Sequence, residues 1–225
     1  MNYNFLTKTR LFQGMSEEDV ESVLECLRAK IQSYSKREVI YHAGEDVLSV
    51  GLVLRGSVNI EHDDVWGNKN ILDNIGEGQV FGETYACIPG EPLMVSVIAA
   101  EETEVLFLNT DKLFAACTEV CGYHNKLIQN LLLITAQKNQ NLTRKIFHTT
   151  PKSIRDKLLS YLSFQAVREG SYRFEIPFNR QQLADYLGVD RSAMSKELGK
   201  MQREGLLTFE KNLFCLKERE HGFDK

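Results

Sequence analysis

Arg191, Ser192, Ser195, Lys196 and Lys200 are the residues whose types and spacing most clearly suggest chemistry. On a helix they lie opposite Met194, Leu198 and Met201, so one face is polar and basic and the other apolar. Guanidinium and ammonium groups neutralise phosphates and donate to guanine edges, and hydroxyls pair with either. That chemistry is recognition of a nucleic acid, without bond making. A second group is Phe81-Gly82-Glu83-Thr84, where a glycine and an acid interrupt strand-like residues. Such a corner either presents backbone N–H groups and a carboxylate to a ligand or is a plain turn with a solvated glutamate. These residues alone leave both readings open. No catalytic residues are assigned. His42, His62 and the acids around them lack the His-x-His pattern with downstream Glu and His that an enzyme on a cupin-like barrel would need for its metal.

The basic face needs a rigid helix beneath it, and the sequence from Asn179 to Leu207 supplies one. Asn179 with Gln182 forms a capping box, and Leu183, Ala184 and Leu187 make an apolar face at helical spacing. Ala184 is small enough for a second helix to cross closely. Gly188 can take the positive φ that ends the first helix, Val189 plugs the turn, and Asp190 caps the second helix. Caps, small residue, glycine and basic face agree in register with a helix-turn-helix.

A chain of 225 residues makes one large or two small domains. The net charge of −4 is unevenly spread, at −7 over residues 1–150 and +3 over 151–225. Basic charge thus gathers where phosphate contact requires it. The five scattered cysteines have no framework spacing, which points to a reducing cytoplasm. The start of the chain is polar, without a signal-peptide pattern, and no apolar run reaches membrane-spanning length.

Ser16 to Asp19 opens a capped helix whose core face is Val20, Val23, Leu24 and Leu27. From Ile31 to Leu108 short apolar segments alternate with glycine turns at Gly44, Gly56, Gly67, Gly76, Gly78 and Gly82, as in a small antiparallel barrel or jelly roll. Val50, Leu52, Leu54, Val58 and Ile60 show strand alternation. Thr110-Asp111 reads as the cap of a short helix, Asp111 to Cys117. A long helix follows from about Gly122 to Phe147, with Leu127, Leu131 and Ile134 at coiled-coil spacing, continued by Lys138 and Asn141. That seam suits a parallel dimer. Thr150-Pro151 reads as the start of the next helix, with Leu158, Leu159 and Leu162 as its core face. Ser171 to Pro177 alternates as a strand. Leu207–Glu210 and Leu213–Leu216 flank Lys211-Asn212 as a hairpin wing, and the charged tail from Lys217 reads as loose.

Leu54-Arg55-Gly56-Ser57-Val58, Gly78-Gln-Val-Phe-Gly82-Glu83 and Leu183-Ala-Asp-Tyr-Leu-Gly188-Val-Asp-Arg191 stand in the order and spacing of one family. Through these three segments the chain resembles the Crp/Fnr family of transcription regulators over nearly all its length after residue 15. The resemblance implies an α+β fold in three parts: an amino-terminal β-barrel or jelly roll of the cyclic-nucleotide-binding type over 1–121, a long dimerisation helix over 122–148, and a carboxy-terminal winged helix-turn-helix over 149–225. It implies a cytoplasmic homodimer that reads a palindromic operator in double-stranded DNA and meets RNA polymerase. It also implies an effector that reorients the DNA-binding domains, with no role for a membrane.

By the same resemblance Arg191 matches an arginine that contacts guanine or the adjacent backbone, and Lys196 stands where an arginine reaches guanine. Ser195 shares that register. Ser192 replaces a glutamate that reads a cytosine edge, so the preferred half-site should depart from TGTGA there. Thr149, Asn179, Arg180 and Gln181 are candidates for phosphate contact. The effector pocket would comprise Gly82, Glu83, Thr84, Leu93, Met94, Lys138 and Asn139. The Arg-Ser pair that grips a cyclic phosphate falls on Leu93 and Met94, and the adenine-contacting Thr-Ser pair on Lys138 and Asn139. Leucine and methionine cannot match a buried anion, so the expected effector is a small molecule other than cyclic AMP. No cysteine precedes Cys26, which leaves an iron–sulfur centre unsupported, and Cys117 and Cys121 read as two buried thiols one helical turn apart. His42, Cys87, Met94 and His148 are of types that ligate haem, though each is more often an ordinary side chain. The cofactor is therefore unassigned. A haem- or redox-sensing regulator on the same fold and a cyclic-nucleotide-binding module acting on a protein partner are the alternatives.

Overall fold

A computed structural model describes residues 1–63, 69–88, 90–114 and 122–217. Gly67, the Pro89 corner, the Cys117/Cys121 pair and the tail after Lys217 lie outside the described residues. The chain divides into two compact units, Met1–Gln137 and Lys138–Lys225. The division falls within the long helix, which the sequence reading set apart as a segment of its own.

The first unit opens with α1 (Tyr3–Lys8) and α2 (Glu17–Cys26). In the α2 capping box Ser16 Oγ accepts from the Asp19 N–H at 3.1 Å, and Asp19 Oδ2 accepts from the Ser16 N–H at 2.9 Å. Eight strands follow: β1 (Lys30–Tyr34), β2 (Val39–Tyr41), β3 (Ser49–Arg55), β4 (Val58–Asp63), β5 (Lys69–Ile75), β6 (Val80–Phe81), β7 (Ser96–Ala99) and β8 (Thr103–Asn109), with the short helix α3 (Glu83–Ala86) after β6. They pair antiparallel into two four-stranded sheets, β1-β8-β3-β6 and β2-β7-β4-β5. Between the sheets lie Val53, Val58, Ile75, Phe81, Val97, Val105 and Phe107. Gly51 belongs to this contact: a Cβ there would come within 2.3 Å of the Phe81 ring.

The strand alternation at Val50 and Leu52 is present, but these residues face away from the inter-sheet layer. They pack with Leu106 and Leu108 against Leu6, Phe12, Val20, Val23 and Leu27. Strands β3 and β8 are thus buried on both faces, helices covering the outer one, while the edge strand β1 stays exposed. The α4 helix (Thr110–Phe114) is capped by Asn109, whose Oδ1 accepts from the Lys112 N–H at 3.0 Å. This corrects the cap expected at Thr110-Asp111, since the Thr110 hydroxyl instead donates to the Leu48 carbonyl at 3.0 Å.

The long helix α5 runs Gly122–Thr149. Its expected dimer seam needs correction. Leu127 and Leu131 are 0% and 4% exposed and, with Ile134, pack into the first unit's own core. The apolar residues left bare on this helix are Leu132, Leu133, Leu142, Ile146 and Phe147, each more than 60% exposed. Heptad spacing fits two faces of one helix, and tertiary packing claims the one with Leu127.

In the second unit α6 (Ile154–Glu169) begins at Ser153, whose Oγ accepts from the Asp156 N–H at 3.0 Å; Thr150-Pro151 precedes it as linker, not as the expected cap. Then come β9 (Arg173–Glu175), α7 (Arg180–Leu187), α8 (Arg191–Arg203), β10 (Leu207–Glu210) and β11 (Leu213–Leu216), with strands ordered β10-β11-β9. One core joins Leu158, Leu162, Phe174, Leu183, Leu198 and Phe214. Among the described residues no helix is long and apolar enough to cross a membrane.

Candidate nucleic-acid interface

The two helices that frame the basic face are fixed at each end by local bonds. At the start of α7 the Asn179 and Gln182 side chains each accept the other's backbone N–H at 2.9 Å. At its end Gly188 adopts φ 61°, the Gly188 N–H donates to the Asp185 carbonyl at 3.2 Å, and the Val189 N–H reaches back to Ala184 at 3.0 Å. This is a Schellman motif, and Val189 packs on the same core as Ala184. Asp190 then caps α8 by accepting the Ala193 N–H at 2.8 Å. Leu183, Ala184, Leu187, Met194, Leu198 and Met201 are all 0% exposed, which locks the helix crossing. On the outer side Arg191, Ser192, Ser195, Lys196 and Lys200 are all exposed.

Two of the acids of α8 and its end, Glu197 and Glu204, are drawn off by α6. Arg155 Nε donates to Glu197 Oε1 at 2.6 Å, and its two terminal nitrogens grip both oxygens of Glu204 at 2.8 and 3.0 Å. The hydrogen bonds to Glu204 and then Glu197 raise the arginine's pKa, and Arg155 in turn lowers that of Glu204. Lys157 Nζ donates to the Leu187 carbonyl at 3.1 Å, satisfying a bare acceptor in the last turn of α7. Arg155 and Lys157 thus tie α6 to both motif helices, contacts that no local sequence pattern signalled.

Of the candidate phosphate contacts, Asn179 and Gln181 are exposed, with Gln181 Nε2 donating to Asp185 Oδ1 at 2.8 Å. The Thr149 hydroxyl donates back to the Lys145 carbonyl at 2.7 Å. Arg180 is placed differently. Its guanidinium lies 4.8 Å from the Phe209 ring centroid and 5.0 Å from that of Phe214, on the wing. Its Nη1 is buried without a partner, and desolvation pushes its pKa down. Arg180 therefore couples α7 to the wing, a contact between residues too far apart in sequence to be read there.

The candidate effector residues divide between the units. Gly82 takes φ 75° and caps α3, Glu83 is 4% exposed, and Thr84 is exposed. Leu93 is buried among core residues, its N–H donating to the Glu45 carbonyl at 2.9 Å and its carbonyl accepting from Gly44 at 2.7 Å. Met94 is 70% exposed. Neither residue carries a cation, and the Leu93 N–H is already engaged, so these two positions do not fit a cyclic phosphate. Lys138 and Asn139 lie on α5 in the second unit. Of the haem-type ligands, His42 is on an exposed turn, the thiol pKa of Cys87 is pushed up by burial, and His148 is 3% exposed with Nδ1 3.1 Å from Ser160 Oγ. Among the described residues no group of three or more His, Cys, Asp or Glu could hold a metal ion.

The family model for a cyclic nucleotide-binding domain matches residues 31–119, and that for a Crp-like helix-turn-helix domain matches residues 156–221. The chain is 21% identical over 216 residues to the CRP-like cAMP-activated global transcriptional regulator of Mycobacterium tuberculosis, covering 96% of this chain and 95% of that protein. It is 24% identical over 198 residues to the cyclic AMP receptor protein of Thermus thermophilus, covering 88% and 87%. Among solved structures, CprK complexed with OCPA superposes with a TM-score of 0.61 at 17% identity, over 89% of this chain and 92% of that one. The catabolite activator protein of Thermus thermophilus superposes with a TM-score of 0.51 at 22% identity, over 93% and 94%. With a cyclic-nucleotide-binding-type sheet domain, a long helix and a Crp-like helix-turn-helix in that order, the chain belongs to the Crp/Fnr family of DNA-binding transcription regulators.

Proposed function

We propose that the chain acts as a homodimer that reads a palindromic operator through α8 and responds to a small effector other than cyclic AMP. The observation that carries the reading is the exposed polar and basic edge of α8 above a wholly buried apolar edge. In this account Arg191, Ser192, Ser195 and Lys196 meet base edges, and Lys200, Asn179 and Gln181 meet phosphates. Arg180 keeps its stack on the wing and turns its remaining donors to the backbone. The bare apolar residues of α5, from Leu132 to Phe147, are the surface that a second copy covers. The effector is held in the first unit, and its binding reorients the two DNA-binding units in the cytoplasm, where RNA polymerase is the further partner. Leu93 and Met94 support an effector without a cyclic phosphate. The test is titration calorimetry with cyclic AMP, followed by anisotropy with a random-sequence duplex at rising salt. The reading expects no heat from cyclic AMP and salt-sensitive duplex binding. Tight cyclic AMP binding would overturn the effector half, and absence of duplex binding would overturn the DNA half.

A further inference from the structure

The outer face of sheet β1-β8-β3-β6 carries a cavity of about 630 Å³ that shares no residue with the Gly82 corner. It lies within the size range of small-molecule sites. Phe5, Ile31 and Leu54 make its apolar wall, and Arg55, Glu77 and Glu104 its polar side. A β-bulge builds the arrangement. The β3–β8 register slips between Val53 and Arg55, so Leu54 is the extra residue and both Leu54 and Arg55 line the same cavity. Arg55 stands directly opposite Glu104 in the ladder, yet among the described residues neither side chain makes an ion pair or hydrogen bond. Both charges are therefore left open to a ligand in the cavity. Glu77 is anchored beside them, one oxygen accepting the Gly56 N–H at 3.2 Å. Ile31 is 39% exposed on a strand face that elsewhere is covered by helices.

We infer that this cavity is a second ligand site, taking a zwitterion with a free ammonium, a free carboxylate and a large apolar body. The guanidinium of Arg55 receives the carboxylate through two parallel N–H donors. The carboxylates of Glu104 and Glu77 receive the ammonium, and Phe5, Ile31 and Leu54 cover the apolar body. An apolar amino acid and a dipeptide of apolar residues share this chemistry. A simple anion would meet the carboxylates of Glu77 and Glu104 beside Arg55, and a simple cation would meet Arg55.

The test is titration calorimetry on the full chain without DNA, so its failure leaves the DNA-binding reading standing. The probes are L-phenylalanine, L-leucyl-L-phenylalanine, 3-phenylpropionate and 2-phenylethylamine. The inference expects heat from one of the two zwitterions, with each single-charge analogue weaker by about tenfold or more. Which zwitterion binds tells amino acid from dipeptide. Arg55→Met should weaken binding about tenfold or more, and Glu104→Gln, which keeps the side-chain shape, should weaken it in the same direction. No heat from either zwitterion overturns the inference. So does equal binding by an analogue with one charge, or binding that neither variant changes.

Discussion

Replacing Gly188 with alanine isolates the contribution of one backbone conformation to the DNA-reading motif. Gly188 holds φ 61° and ψ 51°, and a Cβ built there meets nothing within 4 Å. The penalty is therefore local to the residue's own backbone, with no part from packing against other residues. An L-residue in the left-handed region costs about 1–2 kcal/mol. Alanine also stiffens the unfolded chain, which returns about 0.4–1 kcal/mol. The net loss is about 1 kcal/mol, and with a slope of about 2 kcal/mol/M the urea midpoint falls by about 0.5 M. Asparagine tolerates this region better, so Gly188→Asn should lose about half as much. Urea unfolding followed by circular dichroism reads both variants. A Gly188→Ala midpoint equal to wild type would refute the backbone reasoning. A loss for Gly188→Asn larger than for Gly188→Ala would do the same, because that ranking belongs to a steric cause.

Three further outcomes are expected. Asn179→Ala removes the acceptor for the Gln182 N–H and should cost about 1 kcal/mol in urea unfolding, which Asn179→Asp largely restores. Burial holds the His148 imidazole below its ordinary pKa. The unfolded chain then binds the extra proton as pH falls below about 6.5, so stability declines from pH 7.5 to 5.5 and His148→Phe flattens that decline. An unchanged slope in the variant would remove His148 as the cause. Leu132→Glu combined with Ile146→Glu puts charge on one bare stripe of α5, the two residues lying two heptads apart, and should shift sedimentation from dimer to monomer; persistence of a dimer would move the interface elsewhere.

The motif was legible in the sequence because its determinants are local. A capping box, a left-handed glycine and an aspartate cap act within four residues, and each stands where the spacing put it. The wing strands were legible for the same reason. Burial on two faces hid which side of β3 meets the other sheet, since Val50, Leu52 and Val53 are all apolar and all covered. The α5 seam failed because spacing does not say which apolar face the protein itself consumes. The Arg155 fork joins residues 42 and 49 positions apart, and Arg180 meets aromatic rings on the following hairpin. Such contacts exist only once the chain has closed on itself. In the candidate effector region the loss of a cation at Leu93 was legible from residue type, while the engagement of its N–H was not.

The most direct test of the central claim is selection of bound duplexes from a random pool by the wild-type chain and by Arg191→Ala. The account predicts an enriched two-fold palindrome with half-site centres about one helical turn apart. It predicts that Arg191→Ala loses about 1–3 kcal/mol and relaxes one position in each half-site. No enriched sequence for the wild type, or the same base preferences in the variant, would contradict it.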